Sequence, residues 1–148
     1  LGNFEGNFAN NPAIALFIPL IGGTGGNVGI QSSAIVVQGL ANGSLDLRKS
    51  LSQIVKELGL ALINASIISL LVFAYNFFIF HPDFKITIAV SASLFAVVLF
   101  AATFGTFVPL TLEKMKVDPA IATGPFITIT NDIIGMMIYM TVCMMLLQ

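Results

Sequence analysis

Asp132 is the residue from which the chemistry of this chain is best approached. It lies in the stretch Pro119 to Leu147, which carries no other formal charge. It stands 13 residues past Pro119, and at about 1.5 Å of helical rise per residue that is roughly 20 Å into an apolar segment. A carboxylate near the middle of a bilayer costs about 2.5–3.5 kcal/mol on insertion scales. A proton, a cation or water must therefore compensate it. No Lys, Arg or His falls within another uncharged stretch, and His81 sits in a short loop. Gly124, Thr128 and Asp132 are spaced i, i+4, i+8 and share one helix face, with Thr130 and Asn131 beside them. Carboxylate, hydroxyl, amide and backbone carbonyl are hard oxygen ligands, suited to Mg²⁺, Ca²⁺ or Mn²⁺. One carboxylate per chain does not match a divalent charge. Two copies with this stripe on a two-fold axis would supply a pair. Mg²⁺ keeps its waters and often uses only one or two carboxylates, so it fits such a paired site best. On the same helix Met136, Met140 and Met144 form a second stripe, with Met137, Met145 and Cys143 nearby. Soft sulfur ligands suit Cu(I), but methionine is an ordinary filler of apolar interfaces, and packing is the expected role.

The elements that must position these residues follow from composition. The chain has 148 residues, 57% hydrophobic and 9% charged, with a mean hydropathy of +0.98. A soluble domain carries roughly 25% charged residues, so too few are present to cover a water-facing surface. One Cys excludes a disulfide scaffold, and six basic against seven acidic residues exclude a basic nucleic-acid binder. No nucleophile–base pair and no His/Cys metal motif speaks for an enzyme. Forty uncharged residues separate Glu5 from Asp46, 23 run from Leu58 to Phe80, and 27 from Ile86 to Leu112. With residues 119–147 these give an all-α, polytopic helical bundle of four spans, about 13–41, 58–80, 86–112 and 119–147, since about 20 apolar residues cross a bilayer. The first is preceded by a polar segment holding Asn3, Asn7, Asn10 and Asn11. No basic n-region precedes an apolar core, and Leu1 is not Met, so the chain reads as part of something longer without a signal peptide.

Orientation follows from the basic residues of the loops. Arg48, Lys49, Lys56, Lys114 and Lys116 lie in the first and third loops against Lys85 in the second. Loops 42–57 and 113–118 are therefore expected on the cytoplasmic side, with the C-terminus outside.

The spans are expected to be interrupted. Gly22 to Gly29 reads GGTGGNVG, and each glycine costs about 1 kcal/mol against alanine in a helix. The run lacks the Lys-Ser/Thr pair of a P-loop, and Val28 stands where a dinucleotide fingerprint needs glycine. Two readings stay open: close packing through small residues, or bare backbone lining a polar path. Asn27 and Gln31, four residues apart, would share a face, with Ser32, Ser33 and Gln38 extending the polarity. Pro109 and Pro125 would free the carbonyls of Gly105 and Ile121.

Two long segments, IPLIGGTGGNVGIQSSAIVVQGL (Ile18–Leu40) and DPAIATGPFITITNDIIGMMIY (Asp118–Tyr139), together resemble the MgtE family of magnesium channels. Phe4-Glu5 also resembles the end of that family's first helix. The resemblance implies a homodimer of five-helix subunits in the cell (inner) membrane, with an ion path lined by the second and fifth helices. It implies that Asp132 is the Mg²⁺ site, that Thr128 and Gly124 face the pore, and that Asn27 and Gln31 belong to the second-helix signature without being direct ligands. It also implies that the cytoplasmic Mg²⁺-sensing domains and most of the first helix lie outside this sequence.

The expected function is passive movement of hydrated Mg²⁺ past paired Asp132 carboxylates. Mn²⁺, Ca²⁺ and Co²⁺ are the other ions the residues would accept. The main alternative is a proton- or sodium-coupled secondary transporter in which Asp132 titrates or binds the coupling ion. A third is a membrane subunit that transports nothing and uses its glycines only to pack.

Overall fold

The computed structural model describes residues 12–45 and 50–147. The Asn-rich segment, Phe4-Glu5, Arg48 and Lys49 lie outside the described residues. Every regular element described is helical. A short α1 (Ala13–Leu16) turns at Phe17 into α2 (Ile18–Ala41). Then come α3 (Ser50–Tyr75), continued by a π-helical turn (Asn76–Phe80), and α4 (Phe84–Lys114). A 3-10 turn (Pro119–Ala122) leads into α5 (Pro125–Leu147). Among the described residues, four stretches are long and apolar enough to cross a membrane: Ala13–Ala41, Ile54–Phe80, Phe84–Lys114 and Pro119–Leu147.

α4 is the axis of the bundle. It packs against α2, α3 and α5, and α2 packs against α5 in turn. Its buried residues include Val90, Leu94, Val97 and Val98, which meet Ile21 of α2 and Tyr139 of α5 in one core. α3 touches mainly α4, and Leu70 and Leu71 on its outer side are about two-thirds exposed. Such a face suits lipid contact, where apolar side chains need no protein cover.

The glycine run does not interrupt its helix. α2 is continuous from Ile18 to Ala41, because neighbours impose the conformation. A Cβ at Gly25 would stand 2.9 Å from Val97 Cγ1 of α4, and one at Gly29 would overlap the Asn131 side chain of α5. A Cβ at Gly105 of α4 would in turn overlap the Gly29 carbonyl. Three backbones meet where side chains are missing, and the dispersion gained by close approach offsets the weak helix propensity of glycine. Pro109 likewise stays inside α4.

The interruption falls in the fourth span instead. Thr123 is extended and Gly124 adopts φ +69°, a left-handed conformation natural to glycine. Pro125 then begins α5, so it breaks no bond to Ile121, contrary to the expectation of a carbonyl freed within a helix.

Candidate functional site

Asp132 sits where α5 meets the glycine face of α2. A Cβ at Gly26 would stand 2.9 Å from Asp132 Oδ1 and 3.1 Å from Thr128 Cγ2, and one at Gly22 would lie 3.9 Å from the same carboxylate oxygen. The side chain can occupy this place only because α2 offers bare backbone there. Oδ1 is buried without a hydrogen-bond partner among the described residues, while the residue as a whole remains half-buried. The carboxylate thus lies at the edge of the bundle, one turn after Ile129, which is 58% exposed.

The helix that carries it is organised from its start. Gly124 accepts two bonds at its carbonyl, from Thr128 N–H and from Thr128 Oγ1, both at 3.1 Å. Thr128 therefore turns its methyl toward Gly26 and its hydroxyl back along the helix. One turn earlier, the 3-10 segment is fixed at both ends. Asp118 Oδ1 accepts from Ala120 N–H at 2.9 Å, and the Ala122 carbonyl accepts from buried Ser33 Oγ of α2 at 2.6 Å. Two turns beyond Asp132, Tyr139 OH donates to the Ile14 carbonyl of α1 at 2.8 Å. These long-range bonds tie α5 to the α1–α2 segment on both sides of Asp132.

Of the residues singled out in the sequence, Thr128 and Asp132 come together against α2. Gly124 is their helix start. Asn27 and Gln31 are both exposed, and Gln31 lines a cavity of about 110 Å³ toward α3. That cavity is shared with Ser32, Asn64 and Glu57. Glu57, which falls outside the expected span 58–80, is an acidic side chain buried in the bundle. It lies within the apolar helical stretch Ile54–Phe80 and is only 7% exposed. Its place at the edge of an uncharged run, one residue after Lys56, made it read as a flank.

Sequence reasoning marked the glycine run but did not pair Gly22 and Gly26 with the Asp132 carboxylate. Asn131, noted only as a neighbour of the stripe, is fully buried, and neither of its amide atoms has a partner among the described residues. Of the sulfur residues, Met140 and Cys143 belong to the core and Met136 packs against it, whereas Met137 and Met145 are exposed. Among the described residues no three His, Cys, Asp or Glu side chains come together.

Residues 18–142 match the MgtE family, described as a divalent cation transporter. Three proteins named magnesium transporter MgtE are similar to this chain. That of Thermus thermophilus is 33% identical over the whole chain and 32% of the relative. That of Bacillus subtilis is 35% identical over 92% of the chain and 30% of the relative, and that of Enterococcus faecalis is 28% identical over the whole chain and 32% of the relative. The chain thus spans about a third of the length of the relatives it matches. With a family match over residues 18–142 and relatives up to 35% identical, this chain belongs to the MgtE family of divalent cation transporters.

Proposed function

We propose that this chain is the pore-forming part of a Mg²⁺ channel, with its ion path between two copies and a hydrated Mg²⁺ held by their two Asp132 carboxylates. The observation that carries the reading is the position of Asp132: a carboxylate deep in an apolar helix, set against the bare backbone of Gly22 and Gly26 and lying at the edge of the bundle. A core side chain would be enclosed, and a structural acid would be hydrogen-bonded. This one has an oxygen without a partner among the described residues and a side still accessible. Supporting it, the relatives are named magnesium transporters.

Mechanistically, the paired charges attract the ion and a complete water shell mediates contact, because Mg²⁺ dehydrates reluctantly. Thr128 and backbone oxygens of the same face add acceptors for that shell. The ion then moves down its electrochemical gradient. Mn²⁺ and other divalent ions of similar hydration would compete.

Asp132→Ala in the full-length protein, reconstituted in vesicles, is expected to abolish Mg²⁺ uptake while leaving the protein folded. Unchanged uptake would overturn the assignment. Anomalous density for Mn²⁺ between two Asp132 side chains is expected on soaking. Uptake that stops when a Na⁺ or proton gradient is collapsed would favour the coupled-transporter reading over the channel.

A further inference from the structure

α2 carries two rows of glycine, and α5 sets one side chain against each. Gly22 and Gly26 face the Asp132 carboxylate, whose Oδ1 would lie 3.9 Å and 2.9 Å from a Cβ on each. Gly25 and Gly29, three residues further along in each case, face Asn131 instead. A Cβ on Gly25 would stand 3.8 Å from the Asn131 carbonyl oxygen, and one on Gly29 would overlap Asn131 Nδ2. Consecutive side chains point about 100° apart around a helix. The amide therefore enters the bundle, fully buried, while the carboxylate stays half-buried at its edge.

The amide rests on backbone that cannot recede. Behind it, a Cβ on Gly105 of α4 would overlap the Gly29 carbonyl, so α2 is held between α4 and α5 at this level. Neither amide atom of Asn131 has a hydrogen-bond partner among the described residues. A buried polar group in that state carries a desolvation cost and calls for a physical reason. Shape supplies one. A planar amide is thinner than the branched end of leucine or valine, and it fits a slot over a glycine Cα that those would overfill. With no bond to another described element, the side chain acts through its volume. That volume sets how near α5 comes to α2. One residue on, the space between Asp132 and Gly26 is already too small for a methyl group.

We propose that Asn131 is the positioning residue of the Asp132 site: seated on Gly29, it fixes the spacing and rotation of α5 over α2. It thereby sets the carboxylate against Gly22 and Gly26. Without its volume α5 settles toward α2, and the carboxylate must turn away from the Gly26 backbone. This role rests on the reading that Asp132 holds the ion, and Asn131, having no accessible surface, does not touch that ion itself.

The test is a size swap in the full-length protein, with vesicle uptake measured against Mg²⁺ concentration and thermal unfolding measured beside it. Asn131→Ala is expected to raise the Mg²⁺ concentration for half-maximal uptake several-fold, while the maximal rate changes less. Gly29→Ala, which puts a methyl group where the amide sits, is expected to shift it in the same direction. Combining the two places that methyl in the vacated space, where the nearest remaining atom is Ile127 Cγ2 at 3.0 Å, the end of a flexible side chain. Half-saturation should then return close to the wild-type value. Should Asn131→Ala fail to fold, Asn131→Ser carries the test, because its hydroxyl can donate to the carbonyl one turn back. Unchanged half-saturation in a folded Asn131 variant would overturn the proposal. So would a double variant that regains thermal stability without regaining half-saturation, the outcome of a packing role alone. Asp132→Ala is measured in parallel. Uptake lost there, with no shift in Asn131→Ala, removes the positioning role and leaves the ion site standing. Uptake retained there removes the ion site, and this role with it.

Discussion

At the scale of single residues, the placement of Asp132 depends on what is absent opposite it. Gly26 leaves room for the carboxylate, and a methyl group there would press on Oδ1 at 2.9 Å and on the Thr128 methyl at 3.1 Å. Gly26→Ala is therefore expected to destabilise the fold by about 1–3 kcal/mol, the range for overpacking a filled site, and to lower Mg²⁺ uptake. Gly59 is the matching control, since nothing lies within 4 Å of a Cβ built there. Gly59→Ala should be neutral or stabilising by up to about 1 kcal/mol through helix propensity. Thermal unfolding of the two variants in the same detergent checks the contrast. A Gly26→Ala protein as stable and active as the Gly59→Ala protein would refute the close approach of α2 and α5. Thr128 is a milder case. Its hydroxyl already donates to the Gly124 carbonyl, so Thr128→Ala should weaken uptake far less than Asp132→Ala does.

At the scale of elements, two side-chain bonds hold α5 to the start of the chain, and they bracket the carboxylate. Ser33 Oγ reaches the Ala122 carbonyl from α2, and Tyr139 OH reaches the Ile14 carbonyl. A net hydrogen bond contributes about 0.5–1.5 kcal/mol, with a further penalty where a buried partner is left unsatisfied. Ser33→Ala should cost about 1 kcal/mol and raise hydrogen exchange selectively across residues 119–124. Uniform exchange along α5 would show that Ser33 does not anchor the 3-10 turn. The fixed turn matters because Gly124 redirects the chain there with φ +69°. Any other residue at that position would strain the start of the helix that presents Asp132.

For the whole molecule, α4 is the element on which the others depend. Leu94 is fully buried at its centre, whereas Leu70 on α3 is 68% exposed. Leu94→Ala should cost about 2–5 kcal/mol, as for other buried leucines, and Leu70→Ala should stay within about 0.5 kcal/mol. Equal losses in unfolding experiments on the two variants would contradict the arrangement around α4. The bundle also places its exposed faces unevenly. α5 shows Phe126, Ile129, Ile133 and Met137 on its outer side, each more than half exposed, next to the accessible edge of Asp132. A second copy meeting this face would bring two carboxylates toward each other, which is the arrangement the proposed channel requires.

Sequence alone determined the helical class, the number of long apolar helices and the prominence of Asp132. Each follows from local quantities: uninterrupted apolar length, the rarity of charge and the periodicity of one helix. The family, too, was legible in two segments whose residues are contiguous in the chain. Tertiary structure alone decided which residues face Asp132. Glycine runs carry no periodic signal of their own, so sequence could not say whether Gly22–Gly29 was broken or packed. Val97, Gly105 and Asn131, distant in the chain, press on that run and keep it helical. The same packing buried Glu57 and moved the chain break to Gly124 and Pro125. A helix face acquires its meaning from the neighbour that covers it, and that neighbour is fixed only when the helices assemble.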